Sequence, residues 1–126
     1  MPGADLPDVH ERLRAILRRH GGSFASREGD SGTVLELPEA VGKPWGFVAG
    51  TRLGKRYVSF YLMTVYARPE LLASISPELA KRMQGKSCFN FSTVDERLLA
   101  ELDALAATVL ARHREIVAPQ LAKRGR

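Results

Sequence analysis

Cysteine is nearly absent from this sequence of 126 residues, because Cys88 is its single one. A lone thiol cannot form a disulfide within the chain, which favours a reducing compartment, so we expect a cytoplasmic protein. Long apolar runs are missing too, since no stretch approaches the roughly 20 residues that cross a membrane. The first residues also lack the basic and apolar segments of a signal peptide. We therefore expect no membrane association.

Motifs of catalysis and of metal binding are missing as well. No G-x-S-x-G elbow occurs, and the histidines, His10, His20 and His113, have no cysteine or carboxylate at ligand spacing. We expect surface histidines, no metal site and no cofactor. The glycine-rich stretch 50–56 departs from the phosphate-loop pattern, since an arginine follows its lysine and a strand follows the stretch. This stretch is predicted to be an exposed turn.

Acidic residues are outnumbered by basic ones, 14 against 19, which gives a formal net charge of +5. Such an excess attracts phosphates, nucleic acid and other polyanions at long range, but it does not locate a site. Part of the excess lies near the end of the chain, at Arg112, Arg114, Lys123, Arg124 and Arg126. We expect a solvated basic end and do not predict a nucleic-acid partner, although the charge leaves one open.

Apolar spacing predicts a helix near each end of the chain. Residues 6–17 place apolar side chains three and four apart, on one helix face. Near the other end, Thr93 and Glu96 form a capping-box pattern that opens a helix over about residues 93–112. Beyond it, Pro119 and the basic residues predict a loosely held tail.

Strand patterns occupy most of the interval between these helices. Alternating apolar residues predict one hairpin at 23–27 with 33–37, a second at 45–49 with 56–63, and a later strand at 87–91. Two short helices are predicted between them, at 69–75 and 77–84. Because the strands follow one another directly, the sheet should be mainly antiparallel, with the N- and C-terminal helices on one face. We predict one α+β two-layer sandwich over residues 1–126, with an ordered core of about 5–112 and a basic tail of 113–126.

Outward-facing residues of two predicted strands and cations on nearby connections form a candidate ligand-binding site: Tyr57, Tyr61, Lys86, Asn90, Arg52 and Arg82. An aromatic floor with cationic rims suits a flat anionic ligand that is held by stacking and charge. The sequence leaves an alternative open, in which the tyrosines pack under a helix and the cations are only solvated.

Cys88 is the one candidate nucleophile. It lies two residues after Lys86, whose charge would lower a thiol pKa, but no base is identifiable. Phe89 and Phe91 indicate that its strand faces the core, where a cysteine acts as a small apolar residue. We expect an unreactive, structural thiol, and a cysteine-dependent enzyme is the third hypothesis for function.

Two segments resemble a family of bacterial proteins. Residues 57–63, YVSFYLM, and residues 76–91, SPELAKRMQGKSCFNF, are similar to the YdhG-like domains, which are grouped loosely with frataxin-like proteins. The resemblance covers about residues 41–110. It implies a small antiparallel sheet with helices on one side, as the residue pattern also does.

Some members of that family have been proposed as iron chaperones. The resemblance to frataxin-like proteins implies that iron would be bound by a row of acidic residues on the first helix and the adjoining strand. In this chain Asp5, Asp8 and Glu11 lie there, interleaved with Arg12 and Arg14. Iron needs clustered oxygen ligands, so we expect weak iron binding. The leading hypothesis is therefore a non-catalytic binding or accessory domain for an anionic small molecule or a protein partner, with an iron chaperone as the alternative.

Overall fold

Helices lie at both ends of the chain and strands between them in a computed structural model that describes residues 5–124, with side chains as far as residue 119. The helices are α1 (Leu6–His20), α2 (Met63–Ala67), α3 (Pro77–Ala80), α4 (Glu96–Ala111) and α5 (His113–Arg124). The strands are β1 (Ala25–Glu28), β2 (Gly32–Glu36), β3 (Phe47–Leu53), β4 (Val58–Leu62) and β5 (Cys88–Phe91). Short 3-10 turns lie at Pro38–Ala40, Pro44–Gly46 and Pro69–Leu72.

The five strands form one sheet in the order β1-β2-β3-β4-β5, and each neighbouring pair is antiparallel. Helix α1 packs against β3 and β4, and α4 lies beside α1. The predicted α+β fold with helices at both ends is therefore confirmed. No helix within residues 5–124 is both long enough and apolar enough to cross a membrane.

Helix α1 follows its sequence pattern closely. The side chain of Asp5 accepts a hydrogen bond from the Asp8 N–H, which satisfies one of the free donors of the first turn. Leu13 and Leu17, on the apolar face, are fully buried. Burying a leucine side chain contributes about 1.5–3 kcal/mol, so packing rather than helix propensity holds α1 in place.

Helix α4 begins later than its capping-box pattern predicts. Asp95 is the N-cap, since its side chain accepts from the Leu98 N–H at 3.2 Å. The predicted cap at Thr93 is therefore wrong, because an aspartate is an equally good cap and lies nearer the first buried residue of the helix. The apolar stripe is as predicted, and Leu102 is fully buried.

The β3–β4 hairpin turns later than predicted. The stretch 50–53 was expected in an exposed turn, but β3 extends to Leu53 and the turn lies at 54–57. Gly50 lies within β3 at a position where neighbouring atoms leave no room for a side chain. A Cβ atom there would lie 2.5 Å from the Thr33 carbonyl oxygen and 3.2 Å from the Phe47 ring. The glycine thus permits a close approach rather than a turn.

The chain beyond Arg112 is not the loose tail that its composition predicts, at least where side chains are described. Helix α5 follows α4 directly, and His113, Ile116 and Val117 are buried. Their spacing of three and four residues forms a short apolar face, and the proline that argued for a tail lies inside the helix. The basic side chains predicted at positions 123, 124 and 126 lie outside the described side chains.

The histidines are not the surface residues that the sequence predicts. His10 Nε2 lies 2.7 Å from the Thr51 hydroxyl oxygen, and His113 Nδ1 lies 2.7 Å from the Thr64 hydroxyl oxygen, both pairs being buried. His20 is partly buried, with Nε2 at 2.8 Å from an Asp103 oxygen. Each ring is at least partly buried because a nitrogen atom of it has a polar partner elsewhere in the fold. The sequence pattern around each histidine does not show such a distant partner.

Candidate functional site

The two faces of the sheet differ in what covers them. Phe60 and Phe89 pair across β4 and β5 on the face that packs against the helices, and both are fully buried. Since side chains alternate along a strand, a second set points to the other side. We call that side the open face, and it carries Gly50, Arg52, Ser59, Tyr61, Cys88 and Asn90. The Phe47 ring lies on the same side, since it meets the Tyr61 ring and comes close to Gly50.

A groove of about 780 Å³ lies on the open face beside the β3–β4 hairpin. Ligand sites of proteins typically enclose roughly 300–1,000 Å³, so this groove is of a suitable size for a small molecule. The end of β3, the turn and alternate residues of β4 line it: Arg52, Leu53, Gly54, Lys55, Arg56, Tyr57, Ser59 and Tyr61. We call it the hairpin groove.

Positive charge in the hairpin groove is not neutralised by any of the carboxylates that the structure describes. Among the described side chains, no carboxylate forms an ion pair with Arg52, Lys55 or Arg56, all of which are exposed. Other arginines are paired with carboxylates: Arg12, Arg14, Arg18, Arg19, Arg27, Arg112 and Arg114. The three groove cations are therefore free to attract an external anion.

Two tyrosines give the hairpin groove its aromatic surface. Tyr57 is the last residue of the turn and is 41% exposed. Tyr61 is partly buried and meets the Phe47 ring edge-on, with 6.4 Å between centroids. Because Phe47 lies over Gly50, both rings are held against the sheet rather than free in solvent. A ring fixed in this way loses little entropy when a ligand stacks on it.

The polar residues beneath the groove are already hydrogen-bonded to one another. Ser59 Oγ donates to Asn90 Oδ1 at 2.8 Å, and Asn90 Nδ2 donates to Gln84 Oε1 at 2.7 Å. The Cys88 thiol lies 3.4 Å from the same Asn90 oxygen. Asn90 therefore positions Ser59 from the neighbouring strand, and its amide is committed within the protein.

Cys88 is partly buried on the open face, while Phe89 and Phe91 of the same strand face the core. Burial raises the pKa of the Cys88 thiol, and hydrogen bonds with Ser59 and Tyr61 oppose this in part. A raised pKa reduces the thiolate fraction at neutral pH, which is the opposite of what a nucleophile needs. The geometry thus gives no support to a cysteine-dependent enzyme.

The six predicted site residues do not form one cluster. Arg52, Tyr57 and Tyr61 line the hairpin groove, and Asn90 lies behind it. The two remaining cations, Lys86 and Arg82, are elsewhere.

Lys86 is exposed in the turn before β5, next to Ser87, whose carbonyl accepts from the Leu62 N–H at the far end of β4. The Arg82 guanidinium lies 5.9 Å from the centre of the Phe91 ring and lines a separate groove beside α4. Separating these two cations from the tyrosines required the strand register, which the local sequence does not contain.

Two groove cations, Lys55 and Arg56, were not among the predicted site residues. They lie in the stretch that was interpreted as an ordinary exposed turn, and their residue types alone could not distinguish a binding turn from a solvated one. The sequence feature that could have indicated a binding turn is the pair Lys55 and Arg56 directly before a strand that carries outward tyrosines. Tertiary structure adds that no described carboxylate reaches them.

Two of the three acidic residues at the start of α1, Asp5 and Glu11, have partners within the protein. Asp5 caps the helix and Glu11 is ion-paired with Arg18. Within the described part of the chain, no group of three or more His, Cys, Asp or Glu side chains lies close enough to hold a metal ion. The described residues therefore present no cluster of oxygen ligands for iron.

Comparisons with protein-family models, with curated proteins and with solved structures found no match to this chain. The resemblance of residues 57–63 and 76–91 to the YdhG-like domains stays a prediction. A functional assignment therefore rests on the geometry and charge of the hairpin groove.

Proposed function

We propose that this protein is a non-catalytic binding domain that holds an anionic small molecule in the hairpin groove. The observation that supports it is that three cations with no carboxylate partner among the described side chains, Arg52, Lys55 and Arg56, line the same groove as two tyrosines. A small ligand that brings its own negative charge would supply the missing counter-ion. A cytoplasmic location is part of this proposal and rests on the single cysteine.

The physical case depends on how the charges are arranged rather than on their number. An exposed ion pair contributes roughly 0.2–1 kcal/mol, so one surface arginine alone would bind nothing specifically. Three cations within one groove act on the same anion, and neighbouring aromatic rings exclude water from one side of it. Such a site should weaken as salt rises, because exposed charges are screened beyond about 8–10 Å.

The iron-chaperone alternative has less support from the described residues. Of the three carboxylates that the resemblance would assign to iron, Asp5, Asp8 and Glu11, the first and the last have partners within the protein. Among the described residues, Asp8 belongs to no group of side chains that could hold a metal ion. A protein partner remains the second candidate, because the exposed Tyr57 and the cations of the turn could also meet an acidic surface. The experiment below separates a small anion from such a partner.

The test is a calorimetric titration with inorganic pyrophosphate at low salt and at physiological salt. Three proteins are compared: the parent, the double variant Arg52→Ala with Arg56→Ala, and a control, Lys81→Ala with Arg97→Ala, which removes the same charge from the groove beside α4. We expect the groove variant to lose about tenfold or more in affinity, and the control to stay within about twofold.

Equal losses in both double variants would show that pyrophosphate senses net charge rather than the hairpin groove. If the parent binds no better than about 1 mM at low salt, the groove is not an anion site, and an acidic protein partner becomes the better candidate.

A further inference from the structure

The cations and the fixed aromatic ring lie at different places along the hairpin groove. Across the β3–β4 pair, Arg52 is opposite Ser59 and Gly50 is opposite Tyr61. A strand rises about 3.3 Å per residue, so Tyr61 lies about 7 Å along the sheet from the row that contains Arg52. Lys55 and Arg56 lie still farther away, in the turn beyond the strand ends.

This separation sets a requirement on the ligand, and the inference rests on the proposed function. We infer that the ligand is a nucleotide: a flat ring that stacks on Tyr61, joined through a spacer of about one sugar to a phosphate held by the turn cations. A compact anion such as phosphate would use the cations and leave Tyr61 bare. A flat anion with its charge on the ring would meet Arg52 at most and leave the turn cations, Lys55 and Arg56, unused.

The Tyr61 ring is prepared for stacking. The edge-on contact with Phe47, at an interplanar angle of 67°, fixes its orientation from one side. Phe47 in turn lies close over Gly50, where any larger residue would displace it. Stacking of a nucleobase on an aromatic side chain is favourable for every base, because every base has a flat face. The site should therefore prefer nucleotides as a class.

A single nucleotide fits the charge pattern better than a nucleic-acid strand. A strand needs cations along its whole path, since each phosphate is a separate contact. The groove cations are gathered at the hairpin end, and on the far side of the sheet Arg27 is already paired with Glu36 at 3.0 Å. Beyond Tyr61 along β4, Lys86 lies in the turn before β5 and forms no ion pair with a described carboxylate, which makes it a sensitive probe of strand binding.

Cys88 offers a reporter for the ring position. It is the register partner of Tyr61 on β5, and its thiol donates a hydrogen bond to Asn90 Oδ1 at 3.4 Å. Because the chain contains one cysteine, a thiol reagent labels this position alone. A base stacked on Tyr61 would cover the thiol, whereas an anion at the turn would leave it accessible.

The experiment compares AMP, adenosine, inorganic phosphate and an oligothymidylate of ten nucleotides. Calorimetry measures the affinity of each, and a thiol reagent at mildly alkaline pH measures how far each slows the labelling of Cys88. We expect AMP to bind about tenfold or more tightly than either phosphate or adenosine and to slow the labelling at least threefold. Tyr61→Leu should remove the advantage of AMP over phosphate, whereas Tyr66→Leu, a control at an exposed tyrosine outside the hairpin groove, should keep it.

The outcomes are distinct for the two proposals. If phosphate binds and AMP binds no more tightly, or if AMP leaves labelling unchanged, the nucleotide inference is wrong while the anion site stands. If none of the four probes binds, the proposed function itself fails. If the oligothymidylate binds more tightly than AMP and Lys86→Ala weakens it alone, the ligand is a single strand and the inference is overturned.

Discussion

Acid should destabilise this protein through His113, the first residue of α5. The ring is 2% exposed, its Nδ1 lies 2.7 Å from the Thr64 hydroxyl oxygen, and it meets the Phe24 ring edge-on at 5.7 Å between centroids. Burial is the main reason that the pKa of His113 falls from 6.5 to about 4, and repulsion from Arg114 adds to it. The folded protein therefore holds this histidine neutral.

The magnitude follows from the difference between the folded and the unfolded pKa. Between pH 6.5 and pH 4 the unfolded chain binds a proton at His113 and the folded protein does not. The free energy of unfolding therefore falls as the pH falls through this window. The loss is about 2 kcal/mol by pH 5 and reaches about 3 kcal/mol below pH 4. Above pH 6.5 both states are neutral and the effect vanishes.

Urea unfolding at pH 7 and pH 5 measures the effect in the parent and in His113→Gln. A glutamine can still reach the Thr64 hydroxyl, but it does not titrate. We expect the parent to lose about 2 kcal/mol more than His113→Gln between the two pH values. Should both proteins lose the same amount, His113 would not be the titrating group and its depressed pKa would be wrong.

Three further perturbations test the fold and the open face. Leu102→Ala should lower the free energy of unfolding by roughly 2–5 kcal/mol, because Leu102 is fully buried, and a loss under about 1 kcal/mol in urea melts would contradict its place in the core. Gly50→Ala should destabilise the sheet, since its Cβ would lie 2.5 Å from a carbonyl oxygen, and an unchanged melting temperature would show that this approach is not so close. Cys88 should react with a thiol reagent at pH 7 more slowly than a free cysteine does, and faster labelling would mean that its pKa is lowered rather than raised.

Elements stabilised by nearby residues could be predicted from the sequence. Helix α1 is an example, because Asp5 caps it and its apolar residues recur at helical spacing, so each signal lies within a few residues of its effect. The same holds for the apolar stripe of α4 around Leu102. The α+β arrangement followed from the order of these elements, since successive strands pair as antiparallel neighbours.

Features that depend on distant partners could not be predicted in the same way. His113 is buried because Thr64 supplies a hydrogen-bond partner 49 positions away in the chain. The apolar face of α5 is short, and Pro119 hid it, because proline usually ends a helix. A cap at Asp95 instead of Thr93 was a choice between two acceptable residues, which the start of the buried stripe decided.

The candidate site shows both cases. Alternation along β4 placed Tyr61 on the outward side, and the proximity of Arg52 followed from the hairpin. Lys86 was grouped with them because it shares a short segment with Asn90, yet the register carries it to the far end of β4. Arg56 has no described carboxylate partner, and this depends on where every acidic side chain lies in the fold. No local sequence pattern encodes those positions.

The most direct test of the central claim is to map where an anion binds on the folded protein. Backbone amide shifts in a ¹H–¹⁵N spectrum would be followed while inorganic pyrophosphate is added at low salt. If the hairpin groove is the site, saturable shifts should be confined to residues 52–57, 59 and 61, and the amides of 81, 82 and 97 in the groove beside α4 should stay in place. Shifts that are spread over all exposed cations, or that are largest beside α4, would contradict an anion site in the hairpin groove.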